Sequence, residues 1–350
     1  MQYKILNDIK NLDSIDILPT LCIVFYMPTQ QEELLHEAQI IAQKFPQIDM
    51  IGCSSHDPIY NQMPYIEKSS QNSSTFIFFD MPKEYYRLHC ISTQEEFSTL
   101  DISSNESVIL LGAMHQDSDT ILLNLEQKIT PNNLFGAFTS SSDSESIFYN
   151  GEFYKDSILL WSISHEHYEV KALSTHIYEP VGFDLNITKA DSHTIYEIEN
   201  EPAVELIECI MGKLPHRDID LLDYPLFISN TLYTIKTIDR KERSISFFKS
   251  IKTEDKLKIA IPLTKEKQHK KLFSLVQSTH KNAFVFLFLS ISFKVYWGNL
   301  ESIYLMRMAT KMQGDFVGVH TYGEVSPLEP DTPSVLQNQT LTVVTITAKV

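Results

Sequence analysis

Three stretches of this chain repeat one order: an apolar strand, a helix, then a short strand that reaches a glycine about 30 residues after the first strand begins, the size of one strand–helix–strand unit. The first runs from Leu21-Cys-Ile-Val-Phe-Tyr26 through a helix to Met50-Ile-Gly52. In that helix Leu34, Leu35, Ala38, Ile41, Ala42 and Phe45 share one face, and Thr29 with Glu32 fits a capping box. The second runs from Val108-Ile-Leu-Leu111 through a helix near residues 118–129 to Leu134-Phe-Gly136. The third runs from the apolar segment 283–293 through a helix that Asn299 opens and Gly314 closes, to Phe316-Val-Gly318. A further apolar strand follows each: Thr75-Phe-Ile-Phe-Phe79, Ile158-Leu-Leu-Trp-Ser-Ile163 and Leu341-Thr-Val-Val-Thr-Ile346. Right-handed crossovers make the first two strands of each unit parallel neighbours. The predicted fold class is α/β: mixed β-sheets flanked by helices, built from repeated strand–helix–strand units in two related halves. Each glycine is expected at a strand's carboxyl end, where open α/β sheets place their ligand crevices.

Between the second and third units the chain changes character. Residues 168–198 read as β-rich, with turns at Pro180 and Gly182. Pro202 opens an amphipathic helix that Gly212 closes, and its start is the expected domain boundary, dividing 1–200 from 201–350. Strands and hairpins follow over 233–262, then a helix over 265–278 with a basic face.

The 350 residues carry a formal charge of −16, which disfavours nucleic acid and anionic membrane surfaces as partners. The longest apolar run is too short to span a bilayer, and no signal peptide is visible. The cysteines Cys22, Cys53, Cys90 and Cys209 are scattered, with no CxxC, as in a reducing compartment. A cytoplasmic location is expected.

Machinery for chemistry is sparse. Phosphate-cradling glycine motifs are absent, which argues against nucleotide-dependent enzymes. Cys53, with His56 three residues on, is a conceivable nucleophile, but no third partner can be named. His165 and His167 flank Glu166 at period-two spacing on a presumed strand face, without the further ligands that complete a zinc site. Asp117, Asp119, Asp218 and Asp220 read as helix-start and turn residues. Any haem would be non-covalent and need an axial side chain, for which His176, His193 and His320 are candidates. No metal or cofactor site is expected otherwise, and the chain is read as a protein that is not an enzyme.

An ordered series of short strings carries a family resemblance. Ile51-Gly-Cys-Ser54 comes first, then Phe135-Gly-Ala137 with Phe148-Tyr-Asn-Gly-Glu152. Next are Glu179-Pro-Val-Gly182, Ile187-Thr-Lys-Ala190 and Ile195-Tyr-Glu-Ile198, then Pro202-Ala203. Last come Tyr322-Gly-Glu-Val-Ser-Pro327 and Asn338-Gln-Thr-Leu341. In this order they resemble the stand-alone FIST proteins, with a FIST N-like domain over 1–200 and a FIST C-like domain over 201–350. The resemblance implies a bacterial sensory module that binds a small ligand such as an amino acid and passes the signal to a partner protein. It also admits a haem-based nitric-oxide sensor, or an interaction scaffold without a ligand. Two departures bear on the ligand. Ser55-His-Asp-Pro58 stands where the family often has Thr-Ala-Gly-Glu. The stretch 290–298 lacks the arginine often found there, and Lys294 supplies charge without the same fork.

The residues leaving the glycine-marked strands form the expected ligand site. They are Cys53, Ser54 and Ser55 from the first unit, and Thr139, Ser140 and Asn150 from the second. Thr321, Tyr322, Glu324 and Asn338 come from the third. Hydroxyls, amides and a carboxylate over an apolar floor suit an amino-acid-sized ligand. Glu324 is placed to meet an ammonium and Tyr322 to cover an apolar side chain. The competing reading of Glu324 and Asn338 is that they tie loop backbone together.

Overall fold

The computed structural model describes residues 1–55, 59–60, 74–92, 94–114, 118–130, 132–141, 146–279, 282–312, 315–329 and 332–349. The fold is α/β, with mixed and antiparallel sheets flanked by helices. Among the described residues the strands form four sheets, and three of these share one pairing order. In the first, Leu21–Tyr26 runs parallel to Asp49–Ser54, and Thr75–Asp80 lies antiparallel on the other side of Leu21–Tyr26. In the second, Glu106–Met114 runs parallel to Leu134–Ser141, with Ile158–Ser164 antiparallel beside it. In the third, Phe284–Ser290 runs parallel to Phe316–Thr321, with Thr340–Ala348 antiparallel beside it.

The outer edges are closed by exchange. Ile147–Tyr149, which follows the second parallel pair in sequence, adds to Asp49–Ser54 of the first sheet. Gly323–Pro327, which follows the third, adds to Leu134–Ser141 of the second sheet. Ile59–Tyr60, which follows the first, adds to Phe316–Thr321 of the third sheet. Each sheet therefore satisfies an edge with backbone from another unit, which removes an open row of N–H and C=O groups.

The apolar runs lack alternation because these sheets are buried on both faces. Ile23, Phe25 and Ile51 face inward from the first sheet, Ile109, Phe135 and Trp161 from the second, and Phe286, Val317 and Val344 from the third. Together they form one shared core. Phe286 meets Phe25 and Trp161 edge-on, at 6.2 and 6.3 Å between ring centres. The opposite faces are covered by helices. Gln31–Lys44 buries Leu34 and Ile41 against Val24 and Phe78, and Ser118–Glu126 buries Leu122 and Leu125 against Leu110 and Phe138. Lys265–Gln277 and Glu301–Ala309 bury Leu272 and Met308 against Leu287 and Val343.

The fourth sheet has eight strands drawn from residues 178–262 and a core of its own, with Ile187, Ile195, Ile245 and Leu257 under the helix Ala203–Met211. Its chain enters and leaves side by side, where Leu263 N–H donates to the Ile177 carbonyl at 2.7 Å. The position expected as a domain boundary, residue 200, falls within this sheet, because Thr194–Ile198 pairs with both Tyr178–Asp191 and Ser244–Phe247. Tyr168–His176 belongs instead to the third sheet, beside Thr340–Ala348.

Several local expectations are corrected. The glycines do not end their strands: Gly52, Gly136 and Gly318 lie inside Asp49–Ser54, Leu134–Ser141 and Phe316–Thr321. Gly52 is needed where strands crowd, since a Cβ there would sit 2.2 Å from the Val24 carbonyl oxygen. Gly136 has φ +133°, and its Cβ would sit 1.9 Å from the Leu110 carbonyl oxygen. The polar residues after each glycine looked like loop, yet they continue the strand because its end is buried among polar groups. The apolar segment expected as one strand over 283–293 divides at Ser290, and Ile291–Trp297 is helical. An apolar run by itself does not separate strand from buried helix. Thr29 does not cap its helix; a 3-10 turn Pro28–Gln30 leads in, with Gln30 Oε1 accepting from Met27 N–H. Gly314 lies outside the described residues.

Candidate functional site

The carboxyl ends of the three parallel pairs meet. Ser55 Oγ donates to the His320 carbonyl at 3.1 Å, joining the first sheet to the third. Tyr322 N–H donates to the Phe138 carbonyl at 2.7 Å, joining the third to the second. Cys53 lies beside Thr139, joining the first to the second. The meeting point is interior: Cys53, Ser54, Ser55, Thr139, Thr321, Glu324 and Asn338 are all buried.

Glu324 is the fixed centre. One carboxylate oxygen accepts from the Thr321 hydroxyl. The other accepts from the Thr340 hydroxyl at 2.7 Å and the Thr340 N–H at 3.2 Å. Burial pushes its acid up to about 8, against the pull of these donors. Asn338 Nδ2 donates to the Tyr322 carbonyl at 3.2 Å. Both residues therefore tie backbone, as the competing reading expects, while leaving further polar capacity. Tyr322 is half-buried and packs with Phe138 and Phe248, and that burial raises its phenol.

Several buried atoms here make no well-formed hydrogen bond among the described residues: Ser54 Oγ, Thr139 Oγ1, Ser146 Oγ, Asn338 Oδ1 and Gln339 Oε1. Ser146 lies against Ser54, whose N–H donates to its carbonyl at 2.8 Å. Buried polar atoms of this kind also occur elsewhere in the protein, among them Gln30 Nε2, His89 Nε2 and Trp297 Nε1; here they stand close to the fixed carboxyl of Glu324.

Not every expected residue joins the cluster. Asn150 stands in the turn between Ile147–Tyr149 and Glu152–Tyr154, with φ +46°. Its Oδ1 accepts from Met50 N–H at 2.8 Å, so it holds the opposite end of Asp49–Ser54 from Ser54, about 13 Å away at strand rise. Asn-Gly is the favoured pair of a tight hairpin turn, and that accounts for Asn150. Ser140 belongs to Leu134–Ser141, but its side chain lies outside the described residues, as do His56 and Asp117.

The catalytic and metal candidates also find their places. Burial pushes the Cys53 thiol up to about 12, opposed only in part by Thr139, so little thiolate forms at neutral pH. His165 and His167 sit in a turn rather than on a strand face. His165 Nε2 meets Ser107 Oγ at 2.8 Å, and His167 stacks on Tyr85 with 3.6 Å between ring centres. Among the haem candidates, His320 Nε2 is held by Glu301 at 2.7 Å and His193 Nδ1 meets Ser192 Oγ at 2.7 Å. His176 Nδ1 accepts from Tyr178 N–H at 3.3 Å, and burial lowers its imidazolium to about 4. Among the described residues no group of three metal-ligating side chains gathers, and no helix is long and apolar enough to cross a membrane.

The family model described as FIST N domain matches residues 20–201. The chain belongs to the FIST family. FIST domains are small-ligand sensing domains of signal transduction, and that general role comes with membership. No curated protein matches the chain. The strings that carried the resemblance now have a spatial meaning. Ile51–Ser54, Phe135–Ala137, Tyr322–Pro327 and Asn338–Leu341 are far apart in sequence and contribute the residues that meet at one end of the three sheets.

Residues 178–262 also reach this strand end, a contribution that local sequence patterns did not point to. Asp119, read as a helix-start residue, does bond within its own first turn, but its Oδ2 also accepts from Ser250 N–H at 2.7 Å. His193 Nε2 lies 3.5 Å from Asp119 Oδ1, and Gln339 Nε2 donates to the Leu222 carbonyl at 2.6 Å. Lys249 is buried at the same seam. The one available signal was a lone lysine after the apolar run Ile245-Ser-Phe-Phe248.

Proposed function

We propose that this FIST protein is a cytoplasmic sensor that takes an amino-acid-like ligand at the joined carboxyl ends of its three parallel strand pairs. The observation that carries this reading is the set of buried hydroxyl and amide oxygens that find no hydrogen-bond partner among the described residues, Ser54, Ser146 and Asn338, beside the anchored Glu324. A ligand that supplies the missing partners recovers the cost of burying them, about 1–3 kcal/mol each. Residues 201–350 act as the FIST C region of the same sensor. The segment 178–262 docks on the site through Asp119 and Gln339, so occupancy changes the surface offered to a signalling protein in trans. The weak acidity that burial gives the Cys53 thiol supports a binding role rather than covalent catalysis.

Thermal denaturation against the proteinogenic amino acids tests the reading. A ligand present at about 100 times its Kd adds about 2.7 kcal/mol to stability. At least one amino acid is expected to raise Tm, and Glu324→Gln is expected to reduce that rise. Stabilisation of the wild type by none of them overturns the reading.

A further inference from the structure

Lys249 is 5% exposed, and its Nζ donates to the Leu232 carbonyl at 2.6 Å. It also lies 3.8 Å from the centre of the Tyr233 ring. No carboxylate stands within 4 Å of it among the described residues, where the ion pairs involve other side chains. Its place is fixed from both sides. Phe248 packs in one cluster with Tyr322 and Phe138, and Ser250 N–H is bonded to Asp119. Burial lowers the ammonium to about 7, and the negative charges of Glu324 and then Asp119 pull the other way. A primary ammonium has three donors, so one carbonyl and one ring face leave it unsaturated.

Across the seam the unused capacity has the opposite sense. Asn338 and Gln339 each spend their amide N–H on a backbone carbonyl, which fixes their orientation and leaves Oδ1 and Oε1 as acceptors without partners among the described residues. Glu324 lies in the same hairpin, held by Thr340. Spare donors thus stand on one side and spare acceptors on the other, linked through Tyr322, whose carbonyl takes the Asn338 amide N–H and whose ring packs against the same cluster as Phe248, the neighbour of Lys249. A small molecule with an anionic and a cationic end completes both.

We propose that Lys249 receives the carboxylate of a zwitterionic ligand whose ammonium is taken by Glu324 and the neighbouring amide oxygens, so that the segment 178–262 supplies the anion-binding half of the site. This rests on the sensor reading above. It also gives the cation's role to Lys249 rather than Lys294, which lies on the helix Ile291–Trp297. A carboxylate matched to a buried ammonium is a charge-assisted contact, and a ligand lacking it leaves the lysine as it stands.

The test uses the full chain with the proteinogenic amino acids and, beside each, the corresponding amino-acid amide, which keeps the ammonium and loses the anion. The wild type is expected to be stabilised by an amino acid and not by its amide. Lys249→Met is expected to weaken that amino acid at least about tenfold. Without ligand it is expected to melt at or above the wild-type temperature, because an apolar side chain replaces a buried cation without an ion pair. Lys249→Arg should retain the preference for acid over amide. Wild-type binding that is equal for acid and amide overturns the proposal while leaving the site in place, and so does undiminished binding by Lys249→Met. A Lys249→Met chain that melts well below the wild type assigns the lysine a structural role and also overturns it. Stabilisation by no member of the panel removes the sensor reading and this proposal together.

Discussion

The shared core and the polar end of the same strands differ within a few residues. Ile51 and Cys53 face the apolar interior with Phe25 and Phe286, and one residue on, Ser54 is just as buried but its hydroxyl has no partner among the described residues. Phe135 and Ala137 line the core, and Thr139, two residues further on, sets a hydroxyl beside the Cys53 thiol. One region is apolar and ring-packed, although Trp161 Nε1 is buried there without a hydrogen-bond partner among the described residues. The other buries Glu324, Asn338, Gln339 and Lys249, and Asn338 Oδ1 and Gln339 Oε1 find no partner there among the described residues. The contrast separates two parts of each strand: its body packs the sheets together, and its carboxyl end carries the polar groups that we propose a ligand meets.

The comparison is sharpest where the strands cannot yield. Gly136→Ala places a Cβ against the Leu110 carbonyl oxygen at a φ that other residues avoid, in the second sheet's crowded interior. A loss of about 3 kcal/mol or more in urea unfolding is expected, with or without ligand. A loss below about 1 kcal/mol would show that this strand is looser than its packing indicates.

A smaller, pH-dependent effect is expected at the polar end. Folded Glu324 keeps its proton to about pH 8, whereas the unfolded carboxyl loses it near 4.5. Between those values the native state binds more protons than the unfolded chain, so Glu324 lowers stability as pH rises through the window. The slope from this group is at most about 1.4 kcal/mol per pH unit. Glu324→Gln should remove that fall, so denaturation of variant and wild type from pH 5 to 8 should show two curves converging or crossing. Parallel curves would mean that Glu324 ionises in the folded protein as it does in water.

The smallest change is expected at Ser54. Its hydroxyl bonds to nothing described, so Ser54→Ala should leave stability unchanged or raise it by up to about 1 kcal/mol, while reducing ligand-induced stabilisation. A clear loss of stability without ligand would place Ser54 with the packed core rather than with the polar end.

The apolar runs, the helices between them and the glycines that follow were legible because burial on two faces, helical periodicity and strand crowding each leave a local mark. Leu21–Tyr26, Glu106–Met114 and Lys265–Gln277 lie where those marks put them. The sequence also named Ser54, Ser55, Thr139, Thr321 and Glu324, because polar residues directly after a buried strand are uncommon. It did not separate Asn150, which stands in a tight turn at the other end of Asp49–Ser54, from the residues at the carboxyl end, because an asparagine suits a turn and a ligand contact alike. Tertiary structure alone decided that the three strand ends converge, since Ser55 and His320 are 265 positions apart and nothing local records their contact. It also alone brought Lys249 to them. A lysine's meaning depends on whether its ammonium meets water or a sealed seam, and that is set by how residues 178–262 pack, not by the residues beside it.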